Sequence, residues 1–261
     1  MSPRDLRLRK GAAMSGSNSV QGKIAVVTGA SGGIGRATAE RLRDEGMRVI
    51  GVDINGDGLK DVSGIEHVVA DLSNDEGRAK VVEAGKGAYA LVNAAGLMRV
   101  KKITDFTTQD IRDIYAVNVE APWYLMSHLG RTMPDKGSIV NISSVSARLT
   151  ATQEAAIYAS SKTALLAMTR SWAYALAPRG ITVNAILPGI VDTPMQDHVL
   201  QKLSEIRGIP LETLTSKRLE TVPLGRSSKP EETANFIYFL ISDQGKYITG
   251  QSLSQDGGIV M

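Results

Sequence analysis

The sequence predicts an α/β protein: a doubly wound parallel sheet forming one domain, with a small helical lid. Three observations carry that expectation. Short β-branched runs alternate with helix-forming stretches from residue 23 onward, the pattern of strands buried on both faces and separated by crossover helices. The first run leads into a glycine-rich turn, Gly29-Ala-Ser-Gly-Gly-Ile-Gly35, that opens the first helical stretch. The chain's 261 residues, 43% of them hydrophobic, are ample for one large core, and no apolar run reaches the roughly 18 residues of a membrane span.

Residues 1–20 stand apart from this pattern. They begin with Arg4, Arg7, Arg9 and Lys10 against Asp5, continue as a Gly/Ser/Asn-rich stretch and carry no apolar periodicity. They read as a disordered tail ahead of a folded domain over 21–261, with a start at Met14 or a weak polyanion contact as the other readings. The apolar core of a signal peptide is absent. Four cations against one anion in the first ten residues account for the whole formal charge of +3, so the remainder is neutral and offers no basic face to nucleic acid. The chain has no cysteine, which excludes disulfides, thiolate nucleophiles and Cys-ligated metals and suits a reducing cytoplasm.

Ile24-Ala-Val-Val-Thr28 predicts the first strand, and the helix after the glycine turn ends near Gly46. Arg48-Val-Ile-Gly-Val-Asp53 predicts the second strand and completes a half-unit of Rossmann type. Glycines in such a turn let the backbone approach a pyrophosphate, whose charge rests on free N–H groups at the helix start. Asp53 ends the second strand where a carboxylate accepts from the adenosine ribose hydroxyls. Further strands are predicted at Glu66–Ala70, Ala88–Asn93, Gly137–Ile142 and Gly180–Ile186, with a last one within Tyr247–Gly258. Helices are predicted near Asp75–Ala84, Thr108–Val117, Ala121–Thr132, from Tyr158 onward, and Pro230–Ser242, whose Pro-Glu-Glu start suits a helix N-terminus. Ligands gather at the carboxyl ends of parallel strands, so the glycine turn, Asn93 with Ala94-Ala95-Gly96, and Ser144 converge on one crevice.

Tyr158-Ala-Ser-Ser-Lys162 carries the chemistry. Residues four apart on a helix share a face about 5–6 Å apart, which places a phenol beside an ammonium. Bringing a tyrosine from a pKa of about 10 toward neutrality takes roughly 4 kcal/mol, much of which a neighbouring cation supplies. Gly29-Ala-Ser31-Gly-Gly33 also satisfies the Gly-x-Ser-x-Gly nucleophile elbow of hydrolases. That rival needs a histidine from His67, His128 or His198 and leaves Asp53, Tyr158 and Lys162 without roles. The histidines show no metal-binding spacing.

These motifs, in this order from about Gly22 to the C-terminus, resemble the short-chain dehydrogenase/reductase family. Thr28-Gly-Ala-Ser-Gly-Gly-Ile-Gly35 is similar to its cofactor turn, with Gly29, Ser31, Gly33, Ile34 and Gly35 as binding residues. Asp71-Leu72 resembles its adenine-side pair, Asn93-Ala-Ala-Gly96 its fourth-strand motif, and Asn118, Ser144, Tyr158 and Lys162 its catalytic set. Pro188, Gly189, Ile190, Val191 and Thr193 resemble the segment that holds the nicotinamide carboxamide. The resemblance implies reversible hydride transfer between a nicotinamide cofactor and a secondary alcohol or ketone. Tyr158 is then the general base or acid, Lys162 the ribose ligand and phenolate stabiliser, Ser144 the donor to the substrate oxygen, and Asn118 the holder of a proton-relay water. NAD is the expected cofactor, because Asp53 repels a 2′-phosphate and Gly32 and Ile54 stand where phosphate-binding relatives usually carry a cation.

Two departures qualify the resemblance. Ser144 lies one residue further from Tyr158 than the family's usual serine, leaving Ser146, and less favourably Ser143, as alternatives, and Ala94 replaces the commoner asparagine. Alternation stops over about 194–225, giving two short helices near Met195–Ile206 and Leu211–Glu220 that resemble the family's substrate lid. Arg148 and Gln153 on the lengthened loop and His198 on the lid suggest a small polar substrate: a polyol, sugar, cyclic diol or hydroxy acid. A 3-oxoacyl or steroid-type ketone reductase and a non-catalytic dinucleotide-binding protein are the alternatives, the latter having no reason to keep four catalytic residues in register. A homotetramer or homodimer is implied by the resemblance, with Trp172 and Tyr174 as core or interface residues. No nucleic-acid, membrane or metal partner is expected.

Overall fold

The computed structural model describes residues 20–149 and 152–261. Seven strands, β1 Ile24–Thr28, β2 Arg48–Asp53, β3 Glu66–Val69, β4 Ala90–Asn93, β5 Ser138–Ile142, β6 Thr182–Pro188 and β7 Ser252–Gln255, form one parallel sheet in the order β3-β2-β1-β4-β5-β6-β7. The order reverses between β1 and β4, and at such a switch point the strand ends splay into a crevice.

Alternation along the strands explains the two layers of helix. In β1, Val26 faces one side, where α3 (Asp75–Ala84), α5 (Ala121–Thr132) and α6 (Ala156–Leu176) bury Val81, Leu125, Met126, Leu129, Leu165 and Leu176. Ala25 and Val27 face the other, against Ala39 and Leu42 of α1 (Gly33–Asp44) and Ile237, Leu240 and Ile241 of α9 (Pro230–Ile241). The central strands are thus covered twice, which is why β1 is almost continuously apolar, whereas the edge strands β3 and β7 carry polar residues and are less buried.

Three local differences from the sequence reading have physical causes. The predicted tail falls on residues 1–19, outside the described residues, but Val20 is fully buried in the α1/α9 core and its carbonyl accepts from Lys23 N at 3.1 Å. The folded domain therefore includes a residue assigned to the tail. The predicted helices at Thr108 and Ala121 are joined: α4 (Thr108–Tyr115) runs through a π-helical segment, Ala116–Glu120, straight into α5. Pro122 has no N–H with which to continue the i→i−4 ladder, and the wider turn absorbs the defect. A short helix, α2 (Gly56–Lys60), arises because the Asn55 side chain accepts from Gly58 N at 3.0 Å.

Beyond β6, α7 (Pro194–Arg207) and α8 (Leu211–Glu220) form a helical hairpin. Its own small core of Val199, Leu203 and Leu214 packs with Val100, Met98 and Leu200. Val20→Ala is expected to lower stability by about 2 kcal/mol, from two lost methyls and the cavity left behind. Thermal denaturation should show a Tm lower by roughly 4–8 °C.

Candidate active site

A cleft of about 710 Å³ opens at the carboxyl ends of the strands and runs from Asp53 past the glycine turn to Tyr158 and on to the α7–α8 hairpin. The glycine turn is built by contact. A Cβ on Gly35 would lie 2.0 Å from the Gly29 carbonyl oxygen, and Gly29 has φ of 71° with the Ala95 nitrogen 2.9 Å from where a Cβ would be. Only glycine fits either place. Thr28 Oγ1 accepts hydrogen bonds from Ala94 N at 3.1 Å and Ala95 N at 3.0 Å, fixing the β4 end to the β1 end. Helix α1 begins at Gly33 with no side-chain cap and no acidic residue in its first turn. Its open N–H groups, bordering the cleft, fit a dinucleotide pyrophosphate. At the far end Asp53 Oδ2 accepts from Ser31 N and Oδ1 from Asn55 N, both at 3.0 Å, which fixes the carboxylate at the cleft wall.

The proton-handling end is compact. Ser144 and Tyr158 both border the cleft, and the serine hydroxyl favours ionisation of the phenol. Ser143 points the opposite way, its hydroxyl donating to the Lys162 carbonyl at 2.8 Å, while Ser146 uses its backbone N–H to cap Ser144 Oγ at 3.1 Å. Of the three candidate serines, Ser144 is the one that acts on the tyrosine. Lys162 is buried, and its Nζ donates to the Ile142 carbonyl at 2.8 Å and lies 5.6 Å from the centre of the Tyr158 ring. Asn118, in the π-helical segment, accepts from Leu97 N at 2.7 Å and donates to Leu97 O at 2.9 Å and Ser161 Oγ at 3.0 Å. Gly96 leaves a gap between them: a Cβ there would stand 3.4 Å from Lys162 Nζ and 3.7 Å from Asn118 Oδ1.

Crowding by protein pushes the Tyr158 hydroxyl up to about 12, with Ser144 pulling the other way, and burial pushes Lys162 down to about 8. Desolvation is the largest influence on both groups, and the Lys162 ammonium is directed at the Ile142 carbonyl.

The cleft brings together Gly29, Ser31, Gly33, Ile34, Gly35, Asp53, Ala94, Ala95, Gly96, Ser144, Tyr158, Lys162, Pro188, Gly189, Ile190, Val191 and Thr193. Three residues named with them lie behind its wall, and a fourth, Asp71, is half-buried and not among the lining residues. Asn93 turns inward and donates to Asn141 Oδ1 at 2.8 Å, Asp71 caps Ser73 N at 2.8 Å, Leu72 is buried in the core, and Asn118 is fully enclosed. The polar residues expected at the substrate end are elsewhere. Arg148 donates to Ser254 Oγ at 3.1 Å and Ser252 O at 2.6 Å, and Gln153 and His198 are exposed away from the cleft. That end is lined instead by Thr152, Gln196, Arg207, Lys217, Arg218 and Thr221 among apolar side chains. Sequence reasoning missed them because Lys217-Arg218 reads as the solvated face of an exposed helix. Among the described residues no group of three or more His, Cys, Asp or Glu side chains is placed to hold a metal ion.

A family model described as enoyl-(acyl carrier protein) reductase matches residues 29–260. The chain is 34% identical to 3-oxoacyl-(acyl-carrier-protein) reductase of Thermotoga maritima over 93% of its length and 99% of that protein. It is 32% identical to L-2,3-butanediol dehydrogenase of Corynebacterium glutamicum, over 91% and 98%. The chain belongs to the short-chain dehydrogenase/reductase family. Solved members share the fold: L-sorbose reductase of Gluconobacter frateurii, a complex with NADPH and L-sorbose, superimposes with a TM-score of 0.83 at 29% identity, covering 92% of this chain and 97% of that one. A short-chain dehydrogenase family protein of Francisella tularensis gives the same score and identity, over 91% and 98%. As a short-chain dehydrogenase/reductase this chain is an NAD(P)-dependent oxidoreductase.

Lys162 has a measurable signature. Its pKa is lowered from 10.5 to about 8 on folding, so over that window the unfolded chain holds a proton that the folded one has lost. Stability from this group is then complete above about pH 10.5 and is lost as pH falls through about 8. Urea titrations of the cofactor-free protein should show the stability of wild type rising, relative to Lys162→Met, between pH 8 and 10.5. A flat difference would place the ammonium in water.

Proposed function

We propose that this short-chain dehydrogenase/reductase transfers hydride reversibly between NAD(H) and a secondary alcohol or ketone, with Tyr158 as the proton donor and acceptor. The observation that carries the reading is Ser144, Tyr158 and Lys162 together on the wall of a cleft whose other end holds Asp53. The nicotinamide ring, when bound, supplies the hydride acceptor or donor. In the reductive direction Tyr158 gives its proton to the substrate oxygen as negative charge develops there, and Ser144 donates a hydrogen bond to the same oxygen. A hydroxyl pushed up to about 12 holds that proton firmly in the free protein.

Lys162 Nζ spends one of its donors on Ile142 O, leaving two for ribose hydroxyls in the gap beside Gly96. Asn118 has both amide hydrogens engaged and one Oδ1 lone pair free, enough to anchor a water that relays protons past Lys162. The α7–α8 hairpin acts as the lid over 194–225. Assembly as a dimer or tetramer and a cytoplasmic location belong to the same reading. Trp172 packs against the core, but Tyr174 on α6 is 90% exposed and Trp123 on α5 50% exposed, which supports an interface on that face.

The substrate is a small molecule with a polar or charged group: a polyol, sugar, cyclic diol or hydroxy acid. The names of the butanediol dehydrogenase and sorbose reductase relatives support this class. A 3-oxoacyl substrate is the second reading, favoured by the apolar wall of Met98, Leu149, Leu200, Leu203 and Leu214 and by the 3-oxoacyl reductase relatives. Turnover of short hydroxy acids and diols against 3-oxoacyl thioesters decides between them.

Tyr158→Phe is expected to abolish turnover while leaving cofactor affinity within about twofold. Ser144→Ala should reduce kcat by about 100-fold, the scale of losing one oxyanion donor. Near-normal turnover by Ser144→Ala with a dead Ser146→Ala would reassign the serine.

NAD preference rests on Asp53. A 2′-phosphate held a few ångströms from that carboxylate loses about 2–3 kcal/mol, roughly 30- to 150-fold. The nearest cation along the turn, Arg36, is engaged with Glu40 at 3.0 Å. The ratio of kcat/KM for NAD to that for NADP should therefore exceed about 30 and fall at least fivefold in Asp53→Ser. Equal values in wild type would sink the assignment of Asp53.

A further inference from the structure

Arg218 is anomalous. Its side chain borders the cleft, its Nη1 is buried, and it makes no hydrogen bond and no ion pair with any described residue. A guanidinium remains charged at any physiological pH, so a half-buried one whose inner nitrogen has no partner carries a standing electrostatic penalty. Its neighbours make that penalty larger. Burial is the main unfavourable influence on its charge and the positive charge of Arg207 the next.

Arg207, in contrast, is satisfied: Nε and Nη2 donate to the two carboxylate oxygens of Glu154 at 2.8 and 2.7 Å. The pair is neutral as a unit, which leaves the charge of Arg218 uncancelled, and Lys217 adds another cation to the same wall. Asp53 is the one acidic side chain among the described residues lining the cleft, and it stands at the opposite end, beside Ser31 of the glycine turn. The hairpin end of the cleft is therefore an electropositive pocket with an apolar approach through Leu203, Ile209 and Leu214.

We propose that Arg218 receives a carboxylate of the substrate, so that the substrate is a hydroxy or oxo acid whose reacting carbon lies at Tyr158 and whose carboxylate reaches the α7–α8 hairpin. The inference rests on the hydride-transfer reading for the position of the reacting carbon, and it selects one substrate class among those that reading allows. A planar guanidinium offers a carboxylate two parallel N–H donors, and the surrounding apolar side chains strengthen the attraction by excluding water. An apolar spacer suits the wall between the two ends. Uncharged polyols and sugars leave Arg218 half-buried and unmatched, and gain no charge pairing from it.

The test uses the enzyme saturated with NADH, or with NADPH if that binds more tightly. Calorimetric titration compares linear carboxylates from butanoate to octanoate with the matching primary amides, which have the same shape without the charge. At least one carboxylate should bind 30-fold or more tightly than its amide, Arg218→Gln should remove the difference, and Arg218→Lys should keep part of it. Cofactor affinity should stay within twofold in both variants, and Tyr158→Phe should bind the carboxylates as wild type does.

Equal binding of acids and amides in wild type overturns the proposal without need of any variant, and so does a preference that survives in Arg218→Gln. A tenfold loss of cofactor affinity in Arg218→Gln would assign the residue to the cofactor phosphates instead. Inorganic phosphate binding more tightly than every carboxylate would make the anion a phosphate ester and overturn the acid assignment. If wild type turns over no alcohol or ketone, the hydride-transfer reading fails separately, because the acid-against-amide comparison does not require turnover.

Discussion

One hydroxyl holds the two halves of the site together. Thr28 Oγ1 accepts from both Ala94 N and Ala95 N at the point where the strand order reverses. Without that acceptor two backbone donors at the bottom of the crevice would lose their protein partner, and the β4 loop would be held to the glycine turn by strand pairing and packing alone. The turn itself is determined by proximity: Gly35 rests on the Gly29 carbonyl, and Gly29 on the Ala95 nitrogen. The uncapped start of α1, the Asp53 carboxylate and the gap beside Gly96 all take their positions from this small knot.

The catalytic end is governed by burial more than by charge pairing. Tyr158 and Lys162 lie one helical turn apart, yet in the cofactor-free protein each is pushed toward its neutral form by the surrounding protein. Both side chains therefore wait in an environment that disfavours their charged forms. Helix α6 supplies the geometry that holds the phenol and the ammonium one turn apart.

Much of this was legible in the sequence, for reasons that particular residues make clear. Strands such as Ile24–Thr28 and Arg48–Asp53 were readable to the residue because two-sided burial forces an unbroken apolar run bounded by glycine or a charge. The helices at Asp75 and Leu211 were likewise marked by a capping asparagine and by Pro210. The substrate end was not readable. Arg148 and Gln153 looked available because they lie on the loop before Tyr158, but long polar side chains take the nearest partner, and for Arg148 that is β7. Lys217 and Arg218 carry no mark in the sequence, because one face of an exposed helix cannot be told from another until its packing is known. Asn118 was found by motif, but its local backbone, a π-helical segment caused by a proline four residues later, has no signature beyond that proline.

Glu154 is the crossing point of three segments. Its carbonyl accepts from Lys101 N at 3.0 Å, its carboxylate clamps Arg207 at the end of α7, and it stands four residues before Tyr158. It is 6% exposed, and the Arg207 guanidinium holds its carboxyl below the usual carboxylate range. The pair thereby acts as a genetic unit. Replacing either member alone strands a charge against the helix that carries the tyrosine, so the hairpin can change its lining residues without loss of this attachment only if both members are kept together. Substrate range can change on such a scaffold without the proton-transfer geometry being rebuilt each time.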